Sequence, residues 1–157
     1  MLESIDPSRL SPEGRALLEE AWYETQILRS GFEAPTFRTR AVDGRIVDLL
    51  RRDGRFRLLL FLRAEAPAST ALRAWVEGRE ASRRLEILAV EIGEAASREP
   101  EADAATWLRL PAGHDAVQAY LAESGGRWFL LDPEGILAGK GTTPADLARV
   151  VDELPRR

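Results

Sequence analysis

Apolar positions along this chain change spacing several times, and each change marks an element. Leu17, Leu18, Ala21, Trp22 and Leu28 recur every three or four residues. With Ser11 as N-cap, Pro12 in the first turn and Glu13 toward the positive end of the dipole, they predict a helix from Ser11 to about Arg29. Ser30-Gly31 ends it. An extended segment from Ala34 to Arg40, the Asp43-Gly44 turn and the apolar pair Ile46-Val47 then predict a hairpin. Leu49 to Asp53 allow at most one helical turn. Arg57 to Leu62 is nearly all apolar, the pattern of a strand buried on both faces at the centre of a sheet.

Past that strand the helical spacing returns, with Leu72, Trp75 and Val76 sharing a face between Pro67 and Arg83. Leu85 to Val90 is the next apolar run, and strand, helix and strand predict a right-handed unit with parallel strands. Residues 93–103 read as a loop holding a short helix, and Trp107 to Leu110 as a short strand. Asp115 to Glu123 reads as a helix with Val117, Tyr120 and Leu121 inward, broken by Gly125-Gly126. Arg127 to Leu131, a turn at Asp132 to Gly135 and Ile136 to Ala138 form an antiparallel pair. Thr143-Pro144 starts a last helix, from Ala145 to about Leu154. The fold class is α/β, a central mixed sheet flanked by helices, with an N-terminal helix and hairpin extension.

Composition narrows the chemistry. The 157 residues are 45% hydrophobic and 31% charged, which fits one domain with one core. Net charge is -4 and no Lys/Arg block forms a nucleic-acid or anionic-membrane patch, so neither partner is expected. Lys140 is the only lysine and asparagine is absent, a bias that points to genome composition rather than function. No apolar run approaches a membrane span and the first residues lack a leader pattern, so the chain as given is expected to be cytoplasmic. With no cysteine there is no disulfide, thiolate metal site or thiol nucleophile. One histidine and scattered carboxylates give no ligand spacing, so neither metal nor cofactor is expected.

In order, the entry Gly31 to Phe37, the Asp43-Gly44 hairpin, the strand ending in Phe61, the corner Ala66-Pro67-Ala68-Ser69, Phe129 to Gly135 and Gly139-Lys140-Gly141 resemble the thioredoxin-like superfamily. The resemblance is to its redoxin branch of thiol-disulfide oxidoreductases, of the cytochrome-maturation and methylamine-utilisation kind, with peroxiredoxin-like proteins as neighbours. It implies an extension over residues 1–30 and a thioredoxin-like domain over residues 31–157. It also implies a redox corner of two cysteines at a helix start. Here Ala66 stands at the first position and Ser69 at the second, and Gly126 falls where the family has a cis-proline. Ala66, Pro67, Ala68, Ser69 and Gly126 thus mark a degenerate redox site. Without a sulfur nucleophile, neither thiol-disulfide exchange nor peroxide reduction is expected.

Three functions stay open. In the first, a peptide or protein partner lies across the former active-site groove, held by Arg63, Glu65, Ser69, Gly125, Gly126, Arg127 and Trp128, and the protein acts as an accessory factor. In the second, the fold is a dimeric scaffold joined through the N-terminal helix, with Trp22 and Tyr23 at the contact. In the third, a non-thiol enzyme uses His114 or Glu65 with Ser69, so there are no catalytic residues of the family's own kind. The helix start at Ser69 and Thr70 could also hold an anion with help from Arg63 or Arg127. Against these, a lone loop histidine more often caps a helix, Ser69 and Thr70 can satisfy first-turn amides, and Trp128 could pack beneath the N-terminal helix.

Overall fold

The computed structural model describes residues 28–52, 54–64, 66–77, 84–93 and 105–154. The predicted N-terminal helix with Trp22 and Tyr23, the loop at 94–104, Glu65 and the far end of the helix expected to reach Arg83 lie outside them. Leu28 and Arg29, expected to close the first helix, are not helical, yet the Leu28 side chain is fully buried.

Seven strands and three helices alternate along the described chain. Strands β1 (Arg38–Arg40) and β2 (Ile46–Asp48) pair antiparallel as a hairpin outside the main sheet. Strands β3 (Phe56–Leu62), β4 (Leu85–Ile92), β5 (Ala105–Leu110), β6 (Arg127–Leu131) and β7 (Leu137–Gly141) form one sheet in the order β5-β4-β3-β6-β7. The β3–β4 and β4–β5 pairs are parallel, and the β3–β6 and β6–β7 pairs antiparallel. Helix α1 (Pro67–Glu77) follows β3, α2 (Asp115–Ala119) follows β5, and α3 (Pro144–Asp152) follows β7.

The apolar run of β3 is explained by its position. Leu58, Leu60 and Leu62 point to one face, where Leu72 and Val76 of α1 and Leu147 of α3 cover them. Leu59 and Phe61 point to the other, into an aromatic cluster of Phe37, Tyr120 and Phe129. A central strand with both faces covered keeps no polar alternation. The sheet therefore carries two cores rather than the one expected from composition.

The hairpin turn matches its sequence signal. Asp43 accepts the Arg45 backbone N–H at 2.9 Å and the Arg45 Nε at 2.8 Å, and both bonds favour its ionised form. Its carboxyl is held below the ordinary aspartate value, mainly by the backbone bond and secondly by the side chain. Because the folded value is depressed, this stabilisation is present above the unfolded-state value and is lost as pH falls through the folded one. An NMR titration of Arg45→Ala should show the Asp43 carboxyl rising partway toward the ordinary value, the backbone bond remaining. An unchanged titration would mean that the side chain contributes nothing.

Helix α2 is shorter than expected. It ends at Ala119 because Leu121 adopts a left-handed conformation, φ +49°. Leu121 N–H then donates to Gln118 O and Ala122 N–H to Val117 O, both at 3.0 Å, the two bonds of a Schellman ending. Glycine usually supplies that conformation, so the sequence carried no stop signal before Gly125.

Candidate functional site

The corner lies where β3 ends and α1 begins. After Leu62 the chain turns through Arg63 and Ala64, and Ala66 N–H donates to Arg63 O at 3.0 Å. Ser69 N–H donates to Ala66 O at 3.0 Å and so opens α1. The Ser69 side chain is only 2% exposed, and its hydroxyl oxygen accepts the Arg63 backbone N–H at 2.8 Å. Thus Ser69 ties the strand end to the helix start and offers no hydroxyl to a partner. This corrects its expected place on the binding surface: a short hydroxyl inside a tight turn finds the nearest unpaired amide first.

Opposite the corner runs the loop from α2 to β6. Gly125 and Gly126 have φ of +70° and +72°, and a Cβ on either would collide with the corner. At Gly125 it would stand 2.6 Å from Arg63 Cβ and 2.8 Å from Ser69 Oγ, and at Gly126 2.7 Å from Ala68 Cβ. Gly126 N–H also donates to Phe61 O at 2.6 Å. Both positions thus need glycine for conformation and for space. Among the described residues there is no cis peptide bond. Gly126→Ala should lower the unfolding free energy by about 2–4 kcal/mol, adding left-handed strain to overpacking. Urea unfolding checks this, and a wild-type midpoint would show that the seam is loose.

The expected basic residues are half-buried and bonded to backbone carbonyls. Arg63 Nη1 donates to Glu123 O at 2.6 Å, and Arg127 Nη1 to the carbonyls of Tyr120 and Leu121, each at 3.4 Å. Arg127 also lies 4.8 Å above the Phe129 ring. A cation beside the last carbonyls of a helix completes its ending. Both arginines therefore brace the glycine loop against the corner, where the expectation had them reaching for a ligand.

Trp128 is likewise internal. It is 1% exposed, on the α1 and α3 side of the sheet, and its Nε1 donates to Thr143 O at 3.1 Å. Gly139 and Gly141 make room for the indole, since a Cβ on Gly141 would stand 2.7 Å from Cζ2. It packs beneath α3 and not in the groove, and the N-terminal helix expected over it lies outside the described residues.

His114 caps α2, with Nδ1 accepting the Ala116 N–H at 3.1 Å. No hydrogen bond joins it to Ser69, whose oxygen faces Arg63 N. Among the described residues no three His, Asp or Glu side chains converge as a metal site would require.

Among the described residues of the corner, several small side chains face outward. Ala64, Pro67 and Ala68 are exposed and Ala66 and Gly125 are half-buried. Sequence reasoning missed two part-buried ion pairs, one at each end of the sheet. Arg57, 9% exposed, donates to Glu86 at 3.2 Å, and Arg73 of α1 meets Glu91 at 2.9 Å while lying over Trp107. Each had one signal, a charge set inside an apolar strand run.

Solved structures share this architecture. A thioredoxin-like protein from Parabacteroides distasonis has TM-score 0.62 and 19% identity, covering 80% of this chain and 96% of that one. A thiol:disulfide interchange protein from Bacteroides sp. has TM-score 0.57 and 19% identity, covering 80% and 89%. A peroxiredoxin-like protein from Aquifex aeolicus has TM-score 0.60 and 13% identity, covering 82% and 89%. No family model and no curated protein matches the chain.

The chain has the thioredoxin-like fold. With no cysteine, the chain carries no thiol pair at its strand-to-helix corner. No helix among the described residues is long and apolar enough to cross a membrane.

Proposed function

We propose that this is a redox-inert thioredoxin-like protein that holds an extended peptide segment of a partner protein across the former active-site face, as an accessory factor. The observation that carries this reading is the seam itself. The corner and the glycine loop are pressed together and braced by Arg63, Arg127 and Ser69, although no sulfur chemistry is left for that geometry to serve. Ala64, Pro67 and Ala68 expose small apolar side chains beside it. An extended chain can lie on such a surface by backbone pairing and small apolar contacts. Of the expected contact residues, Gly125 and Gly126 remain as backbone platform, Arg63 and Arg127 as its braces. Ser69 and Trp128 are internal, and Glu65 lies outside the described residues.

The test is an NMR titration of the 15N-labelled protein with a panel of unstructured peptides. Saturable shifts are expected at residues 61–68 and 123–127. Ala68→Arg should abolish them, while Ala138→Arg, exposed on β7, should leave them intact. Shifts confined to other surfaces, or binding indifferent to Ala68→Arg, would remove the reading.

A further inference from the structure

A second site lies at the opposite end of the sheet. Five strand steps along β3 separate Arg57 from Leu62 at the corner, about 17 Å. There a cleft of about 180 Å3 opens between β2 and the starting ends of β3, β4 and β5. Its charge is unusual for this protein. Residues 38–57 hold seven arginines against three aspartates in a chain of net charge -4, and Arg45, Arg51 and Arg57 from that stretch line the cleft.

The carboxylates that also line it do not cancel this charge. Glu86 takes Arg57 Nε on one oxygen at 3.2 Å and Arg55 Nη2 on the other at 2.8 Å. Arg57 is fixed further by Nη1 on Leu49 O at 3.1 Å and Nη2 on Arg51 O, so it is a rigid wall. Arg45 reaches across to Thr106, Nη2 to Oγ1 at 3.0 Å, which holds its guanidinium at the cleft. Asp48 is the second carboxylate, with Oδ1 accepting the Leu50 N–H at 2.9 Å. Counting the described ions bonded to the lining, Asp43 on Arg45 and Arg55 on Glu86, four guanidinium groups (Arg45, Arg51, Arg55, Arg57) stand against three carboxylates (Asp43, Asp48, Glu86), an excess of one positive charge. The remaining surface is apolar and includes Ile46, which is 48% exposed.

We infer that this cleft binds a small organic monoanion, a carboxylate with a short apolar chain. The single excess charge suits a carboxylate better than a phosphate dianion. Arg51 and Arg45 supply charge-assisted donors and Ile46 receives the chain. The volume lies below the roughly 300 Å3 at which drug-sized pockets begin, so the ligand is small. Because the cleft shares no residue with the corner, its occupation is independent of peptide binding there.

Butyrate is the probe, titrated into 15N-labelled protein beside its neutral counterpart butyramide. Butyrate should shift the amides of Ile46, Val47, Arg51 and Thr106 saturably, and butyramide should not. Arg51→Gln should weaken butyrate about tenfold, the loss of one charge-assisted bond. The fold should hold, because Arg57 grips the backbone oxygen of residue 51 rather than its side chain. Arg52→Gln, next door but outside the cleft, should bind as wild type. Equal shifts from butyramide, no saturable response, or the same effect from both arginine variants would overturn the proposal.

Discussion

Replacing Ala66 and Ser69 together by cysteine should turn a chain without thiol chemistry into one that cycles between dithiol and disulfide. Residues 66 and 69 sit at positions i and i+3 of a turn closed by the 3.0 Å bond from Ser69 N–H to Ala66 O. Such turns bring the Cα atoms within about 7 Å, and disulfides span about 4.4–6.8 Å. Position 66 is half-buried and position 69 buried, the asymmetry that an attacking and a resolving thiol require. The thiol at 66 would lie at the start of α1, where helix amides stabilise thiolate. It should therefore titrate below the usual value of about 8.5, read from alkylation rate against pH in the single Ala66→Cys variant. In the double variant a mild oxidant should remove both free thiols without dimer formation. Two thiols that survive oxidation, or a residue-66 thiol titrating at or above the usual value, would show that only the outline of a redox corner is present.

Trp128→Ala should lower the unfolding free energy by about 3–5 kcal/mol, the range for truncating a fully buried aromatic side chain. The indole fills the space between the sheet and α3, and the two glycines of β7 leave nothing else to close over the void. Its Nε1 bond to Thr143 O ties β6 to the residue that caps α3, where Thr143 Oγ1 accepts the Asp146 N–H at 3.2 Å. Trp128→Phe keeps much of the packing and removes that bond, so it should cost only about 1–2 kcal/mol. Urea unfolding of the pair separates the two contributions. A loss below about 1 kcal/mol for the alanine variant would mean that α3 is not docked on the indole.

The succession of strands along the chain was readable where burial left a one-to-one trace in residue type. Leu58 to Leu62 and Leu85 to Val90 have no polar alternation because both of their faces are covered, and the turn residues at Asp43-Gly44 and Asp132 to Gly135 fixed the reversals. The end of α2 was not readable, since Leu121 takes a conformation that its side chain disfavours and tertiary packing decides. Trp128 was misplaced because a neighbour in sequence is not a neighbour on a face. In the register, Trp128 pairs with Leu60 and Phe129 with Leu59, so the two aromatics point to opposite cores. The strand-to-helix corner was legible from the apolar run before it and from Pro67, but the bonding of Arg63, Arg127 and Ser69 depends on carbonyls and amides that the sequence pattern does not place.

The place of β3 between β4 and β6 also sets the order in which this chain can fold. Its parallel neighbour arrives soon after α1, but Leu58 waits for Leu130 before its second edge is closed. Loops that long must lose their entropy before the pairing rewards it, which slows folding of non-local sheets. During synthesis the most apolar strand of the protein is therefore made well before the strand that seals it. Arg57 at its head, bound to Glu86 of β4 and to carbonyls of the preceding loop, is the one charge that accompanies it through that interval.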